Sequence, residues 1–345
     1  MRYLRLLLLS LVLAGAANAA FVPDPARRNV DLPPDRNGPV PVSVDFFLLD
    51  IASVDGASES FHASLYFDLK WTDPRMVFDA AAFGSDHVLF TGSSVDEQLA
   101  QMWSPGVDVS NLNGDPQVID KTLTIRSNGE VEYEVRLAGD FASPMELSRF
   151  PFDRQKLCVQ LESFLWTADE VQLIAVQSPR HVNENLLIHD WSLISVGASV
   201  DNERYVTGDG YSRFSSTIEV QRDPWFYIWS VLFPLVLVTF FAFLCFFWDQ
   251  ETITERVAQV LTCLLTVTAQ SLAVSGDLPK ISYFTRIDYA FLLTYAVLLL
   301  VAIESVYAKF LNERNHALAD EIDYRAAWVV SIAYLAGMAA VFWVP

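Results

Sequence analysis

Polar and apolar positions divide the chain into two unlike parts. Between residues 42 and 222, apolar residues alternate with polar ones in short bursts: 42–51, 59–71, 120–127, 130–139, 156–164, 171–176, 191–200 and 211–222. Each burst is rich in β-branched and aromatic side chains, and period-two alternation lays the apolar ones along one face of an extended strand. Asp55-Gly56, Asn128-Gly129 and Asp209-Gly210 supply turn chemistry between bursts. Asn128-Gly129, between two alternating runs, predicts a two-residue hairpin. No long amphipathic helix interrupts the series, so it predicts an antiparallel, immunoglobulin-like β-sandwich behind a Pro-rich lead-in at 23–41.

From residue 225 the alternation gives way to long apolar runs. Four membrane spans are predicted at about 225–248, 252–276, 283–308 and 325–344. The first is interrupted by Pro234 and begins with Trp and Tyr, as an interfacial belt does. Only residues 249–251 join it to the second, which makes the two antiparallel neighbours. The second span carries more Thr, Ser and Gln than a lipid-facing helix needs. Wound at 100° per residue, it gathers Glu255, Ala258, Thr262, Leu265, Ala269, Leu272 and Gly276 on one narrow stripe. Val257, Val260, Leu261, Leu264, Val267 and Val274 fall on the other faces. Such a helix either lines water on its stripe or is a buried span whose threonines bond back to carbonyls four residues earlier. An acid where the stripe meets an aqueous edge favours an ion path.

Composition narrows the class. The 345 residues are 52% hydrophobic, with mean hydropathy +0.28, too apolar for a soluble enzyme. A net charge of −19 excludes nucleic acid as a natural partner and attracts cations. The three cysteines, Cys158, Cys245 and Cys263, are too few and scattered for a disulfide framework or a metal site. No Gly-rich phosphate loop, GxSxG elbow or HExxH is present, so neither enzyme nor cofactor is expected. Arg2 and Arg5, the apolar run 6–14 and Ala17-Asn18-Ala19 read as a signal peptide cleaved after Ala19. The expected organisation is therefore signal peptide 1–19, exported sandwich 20–224 and transmembrane domain 225–345. Parity then puts the connection 309–325 in the cytoplasm. Arg256, Lys309, Arg314 and Arg325 inside, against Arg222, Lys280 and Arg286 outside, add little to that orientation. With this style of signal, the membrane is the inner membrane of a Gram-negative cell and the sandwich is periplasmic.

An exported sandwich running into four spans, with the FPFDRQ loop at 150–155, resembles the pentameric ligand-gated ion channels, the Cys-loop receptor family. The resemblance also rests on Arg222-Asp-Pro-Trp before the first span with Pro234 inside it. Thr-Glu-Arg at 254–256 and Asp-Leu-Pro-Lys at 277–280 complete it. It is closest to the prokaryotic members, since only Cys158 lies near the FPFD loop and the third and fourth spans are joined without a long insert.

The resemblance implies a homopentamer in the lipid bilayer, with five second spans around a pore for monovalent cations. Glu255 would form an acidic ring, Thr262 would replace part of an ion's water shell, and Leu265 and Leu272 would be apolar gating rings. Anion-selective relatives resemble one another in carrying Pro-Ala where this chain has Thr254-Glu255. A small organic amine is the implied agonist, held at subunit interfaces by Tyr66, Trp103, Glu162, Phe164, Tyr205 and Tyr211. Taken singly, each of these aromatics is more often a strand-core or cross-strand packing residue, and only the combination with Glu162 points to a site. Asp55, Asp153, Arg222, Pro279 and Lys280 would couple pocket to pore, with an Arg222–Asp153 pair as the link. Protons are the rival trigger; His62, His87, His181, His189 and His316 are scattered, and Asp108 with Asp115 is an alternative divalent site. A membrane-anchored periplasmic binding protein without conduction is the alternative of another class, and a transporter lacks the inverted repeat it would need.

Overall fold

The computed structural model describes residues 32–34, 38–176, 181–183, 186, 188–205, 208–249, 252–276 and 280–343. The expected signal peptide and Pro279 lie outside the described residues.

Ten strands form the first part: β1 (Val40–Asp55), β2 (Ser60–Thr72), β3 (His87–Thr91), β4 (Val107–Val109), β5 (Gln117–Arg126), β6 (Glu130–Ala142), β7 (Arg154–Ser163), β8 (Val171–Ala175), β9 (Trp191–Arg204) and β10 (Gly210–Arg222). They build a six-stranded sheet, order β3-β5-β6-β2-β1-β8, and a four-stranded sheet, order β4-β7-β10-β9. All neighbours are antiparallel except β1 and β8, which run parallel. Alternation explains the core. Along β2, Phe61, Ala63, Leu65, Phe67, Leu69 and Trp71 are buried while the residues between them are half-exposed. Phe46, Phe67, Phe214, Leu157 and Val159 fill the space between the sheets.

The Asn128-Gly129 turn is longer than expected. The β5–β6 ladder runs to Ile125↔Val131, and Ser127, Asn128 and Gly129 form a three-residue loop. Gly129 takes φ +83°, and a Cβ there would meet the Asp73 carbonyl oxygen at 2.7 Å. The left-handed residue closing such a loop is therefore a glycine on two counts.

Four helices are long and apolar enough to cross a membrane: α1 (Trp225–Phe247), α2 (Ile253–Ser275), α3 (Arg286–Asn312) and α4 (His316–Trp343). Pro234 does not break α1. A π turn over Ile228–Leu232 precedes it, and beside that turn the Val231 carbonyl accepts from Gln270 Nε2 of α2 at 2.8 Å. The third and fourth spans differ from expectation in their bounds. The supposed connection 309–325 is mostly helix, with only residues 313–315 between α3 and α4. Ala319, Asp323 and Ala327 recur every fourth residue on the buried side of α4, so its charged first turns still have a packed face.

Polar ties fix the bundle. Tyr334 of α4, fully buried, meets Thr239 of α1 at 3.2 Å and Thr294 of α3 at 3.1 Å. Gln259 of α2 donates to the Phe241 carbonyl of α1 at 2.6 Å. Arg256, counted among the inner-side charges, is completely buried and paired with Asp323 of α4 at 2.8 Å.

Candidate functional site

Three places in the fold collect the expected functional residues. The first is at the outer end of the four-stranded sheet. Glu162 near the end of β7 stands directly opposite Arg213 of β10. The Arg213 guanidinium pairs with the Glu162 carboxylate, and Tyr205 at the end of β9 donates its hydroxyl to Glu162 Oε2 at 2.6 Å. Arg213 also reaches the Tyr205 hydroxyl and Glu203, each at 3.2 Å. Tyr211 meets Tyr205 nearly edge-on, centroids 5.6 Å apart. Glu162, Phe164, Tyr205 and Tyr211 line a cavity of about 360 Å³ with Ser163. Phe164 is 81% exposed at its rim, whereas Glu162 is buried at its base. With Glu162 accepting its proton, the Tyr205 phenol is held above its ordinary range. Chemically this is an aromatic cup over an ion pair.

Trp103 is not in it, and Tyr66, expected from the neighbouring subunit, lies on the other sheet. Trp103 is 1% exposed in the sandwich core, its ring 6.4 Å from Trp71 and 6.0 Å from Trp166. Tyr66 lies on the outer face of the six-stranded sheet and donates to Glu134 of β6. Burial, then the Glu134 carboxylate, pushes its phenol up. Asp108 stands opposite Glu162 across β4 and β7, and no group of three possible ligands fits a metal among the described residues.

The second place is the exposed face of α2. Glu255, Ala258, Thr262, Leu265, Ala269, Leu272 and Gly276 are all exposed, Leu265 at 71% and Leu272 at 70%, while Arg256, Gln259, Val260, Cys263, Val267 and Val274 are buried against the bundle. The threonines do bond back: Thr262 Oγ1 donates to the Ala258 carbonyl at 2.8 Å and Thr266 Oγ1 to that of Thr262 at 2.9 Å. They do so on an exposed face, each hydroxyl proton being used by the carbonyl four residues earlier.

The third place is where sandwich meets helices. Asp153, in the FPFD loop, accepts from Arg222 Nε at 2.8 Å and Nη2 at 3.2 Å. Gln155 Nε2 donates to the same carboxylate at 2.6 Å. The guanidinium lies 4.1 Å from the Trp191 ring centroid and 4.9 Å from that of Phe150. Asp55, Phe150, Arg222, Tyr227 and Gly276 share a cavity of about 310 Å³, which brings the first hairpin to the outer end of α2. Asp55 itself accepts from the Ser58 hydroxyl at 2.7 Å and the Ala57 N–H at 2.8 Å, and the first of these holds its carboxyl below the usual range. Lys280 is exposed. A contact that periodicity did not reveal lies nearby: the Leu147 N–H donates to the Tyr283 hydroxyl at 3.1 Å.

Arg213 and Trp191 were likewise missed. Arg213 shares its strand face with Tyr211, so parity pointed to it, but the β7–β10 register that sets it opposite Glu162 is not readable from one sequence.

Residues 27–224 match the neurotransmitter-gated ion-channel ligand binding domain, and residues 231–337 the neurotransmitter-gated ion-channel transmembrane region. The chain is 25% identical over 307 residues to a gamma-aminobutyric acid receptor subunit beta of Lymnaea stagnalis, covering 83% of this chain and 61% of that protein. It is 27% identical over 291 residues to a gamma-aminobutyric acid receptor subunit beta-like protein of Drosophila melanogaster (79% and 57%). It is 26% identical over 257 residues to a Drosophila melanogaster glutamate-gated chloride channel (73% and 55%). The chain thus spans between 55% and 61% of the length of these relatives. With both regions matched in order behind this sandwich and these four helices, the chain belongs to the neurotransmitter-gated ion-channel family, whose members form pentameric channels gated by small-molecule ligands.

Proposed function

We propose that five copies of this chain form a cation channel whose pore is lined by α2 and which a small ammonium compound opens from between adjacent sandwiches. One observation carries the reading: the stripe of α2 running from Glu255 to Gly276 is exposed throughout, while Arg256, Gln259, Val260, Cys263, Val267 and Val274 on the opposite side are buried. Five such faces around an axis give an acidic ring, a hydroxyl ring, and apolar rings at Leu265 and Leu272 that shed water when they close. Selectivity for cations rests on Glu255 and stands against the chloride channel among the relatives.

The agonist chemistry follows from the cup. The faces of Tyr205, Tyr211 and Phe164 attract a cation by about 0.5–2 kcal/mol each. Glu162 offers charge pairing but already holds Arg213, so an ammonium ligand shares the carboxylate with the guanidinium. A ligand that also bears a carboxylate satisfies both partners, which favours a zwitterionic amino acid over a simple amine. The relatives named for gamma-aminobutyric acid and glutamate are consistent with that class. Tyr66, on the other sheet, would complete the site from a neighbouring subunit. An inner-membrane location with the sandwich outside follows from the signal-like amino terminus. Placement beside the prokaryotic members is supported by the three-residue connection between α3 and α4 and by the unpaired Cys158.

Purified protein in liposomes tests the reading. An amine or amino acid should evoke current whose reversal potential in a NaCl gradient follows Na⁺, and Glu255→Ala should move it toward Cl⁻. A wild-type reversal at the Cl⁻ potential refutes cation selectivity. No current with any ligand leaves only a tethered binding protein.

A further inference from the structure

The face of the six-stranded sheet that carries Tyr66 also carries a row of carboxylates. Asp45 of β1 stands directly opposite Asp68 of β2, and Asp68 directly opposite Glu134 of β6. Like charges side by side on neighbouring strands repel, and here their compensation is incomplete. Lys70 Nζ lies 2.6 Å from Asp68 but also 2.8 Å from Glu132. His181 Nδ1 is 3.9 Å from Asp45 Oδ1. Glu134 has hydroxyl donors alone: Tyr66, and Thr122 Oγ1 at 2.6 Å. Among the described residues no cation pairs with Glu134; Arg136, on the same face of β6, is exposed. One oxygen each of Asp45 and Asp68 is shielded from solvent without a hydrogen-bond donor. The row is not a metal site, since no group of three possible ligands fits an ion among the described residues. Leu89 of β3 with Val118 and Ile119 of β5 adds exposed apolar area to the same sheet, suited to cover by a second copy of the chain.

The cup takes an ammonium on Glu162 and a carboxylate on Arg213, which leaves its own charges matched. A carboxylate without a counter-charge on the wall that Tyr66 belongs to calls for a second cation. Two hydroxyl donors do not neutralise Glu134, and its remaining lone pairs accept an ammonium in a short, charge-assisted bond. The Tyr66 ring beside it adds an aromatic face for the same charge. Resting on the agonist site proposed for the cup, we propose that the ligand is a diamino acid. Its α-ammonium and α-carboxylate are held by Glu162 and Arg213 of one subunit, and its side-chain ammonium by Glu134, beside Tyr66, of the next. A monoamino acid leaves Glu134 with its hydroxyls only. A dicarboxylic one sets a further negative charge against Asp68 and Glu134, so the same row rejects it.

Flux through the full chain in liposomes tests this. Lysine, ornithine and 2,4-diaminobutyrate are each compared with the monoamino acid of the same chain, namely norleucine, norvaline and 2-aminobutyrate. The best diamino acid should act at concentrations at least about tenfold below its counterpart, the worth of one charge-assisted bond. Glu134→Gln should shrink that ratio about tenfold, a change that a merely structural role of Glu134 would not produce. An unaltered ratio in Glu134→Gln overturns the proposal. So does equal potency of the two forms at every length in wild type, even if the variant does not assemble; activation by monoamino acids would then still leave the cup as the agonist site. Silence toward all six compounds refutes the agonist reading of the cup and the diamino acid with it.

Discussion

Replacing Arg222 by Gln removes a guanidinium while keeping a polar side chain of similar reach. What remains is Asp153, whose side chain is 1% exposed, with Gln155 Nε2 at 2.6 Å as its surviving side-chain donor. Truncating one partner of a buried pair costs about 3–5 kcal/mol. The lost cation–ring contacts with Trp191 and Phe150 add to this, and the Gln155 bond offsets part of it. We expect a net effect of about 3 kcal/mol, a factor of roughly 150 in an equilibrium constant, divided between thermal stability of the assembled protein and the agonist concentration for half-maximal current. Asp153→Asn should be milder, since the Arg222 guanidinium keeps its contacts with the Trp191 and Phe150 rings. The decisive assay is the double-mutant cycle. If the pair acts as a unit, Arg222→Gln with Asp153→Asn should be milder than the sum of the two by about 2 kcal/mol. Simple additivity, in stability and in activation alike, refutes the pair as the link between sandwich and helices.

Other expectations are simpler. Leu265→Ser should give current without agonist, because a polar ring no longer sheds water in the closed state; unchanged resting current excludes Leu265 as the gate. Ala269→Cys, in a background lacking Cys158, Cys245 and Cys263, should react with a hydrophilic thiol reagent in at least one state, and protection under every stimulus excludes a water-lined pore. Arg213→Gln should weaken activation by amino acids more than by simple amines, by about tenfold if one charge-assisted bond is lost. Equal loss for both ligand classes means that Arg213 only positions Glu162.

Much of this architecture is written in residue periodicity, and the omissions have physical causes. The long strands were legible because each has one buried face. β3 has no fully buried residue and β4 only three residues, so neither carries a pattern to detect. The start of α4 was obscured by Asp323: a charge in a stripe of alanines hides the helical repeat unless its partner, 67 positions away at Arg256, is known. Trp103 entered the expected site through resemblance, and a large aromatic near a turn has the same local appearance whether it faces solvent or core. Glu162, Phe164, Tyr205 and Tyr211 were located together through resemblance, but Arg213, which changes the electrostatics of that cup, required strand register.

The distribution of polar ties along α2 also says how that helix can move. Arg256, Gln259 and Gln270 fasten it to its neighbours, and among the described residues no such fastening follows from 271 to 276. Its lower fastenings act as a pivot. Leu272 stands about 22 Å above the lower two at 1.5 Å per residue, so a lean of about 10° that swings Leu272 some 4 Å outward while Glu255 barely stirs has to break the Gln270 tie to the Val231 carbonyl. In the proposed pore, release of that one tie would widen the ring of Leu272 without loosening the ring of Glu255.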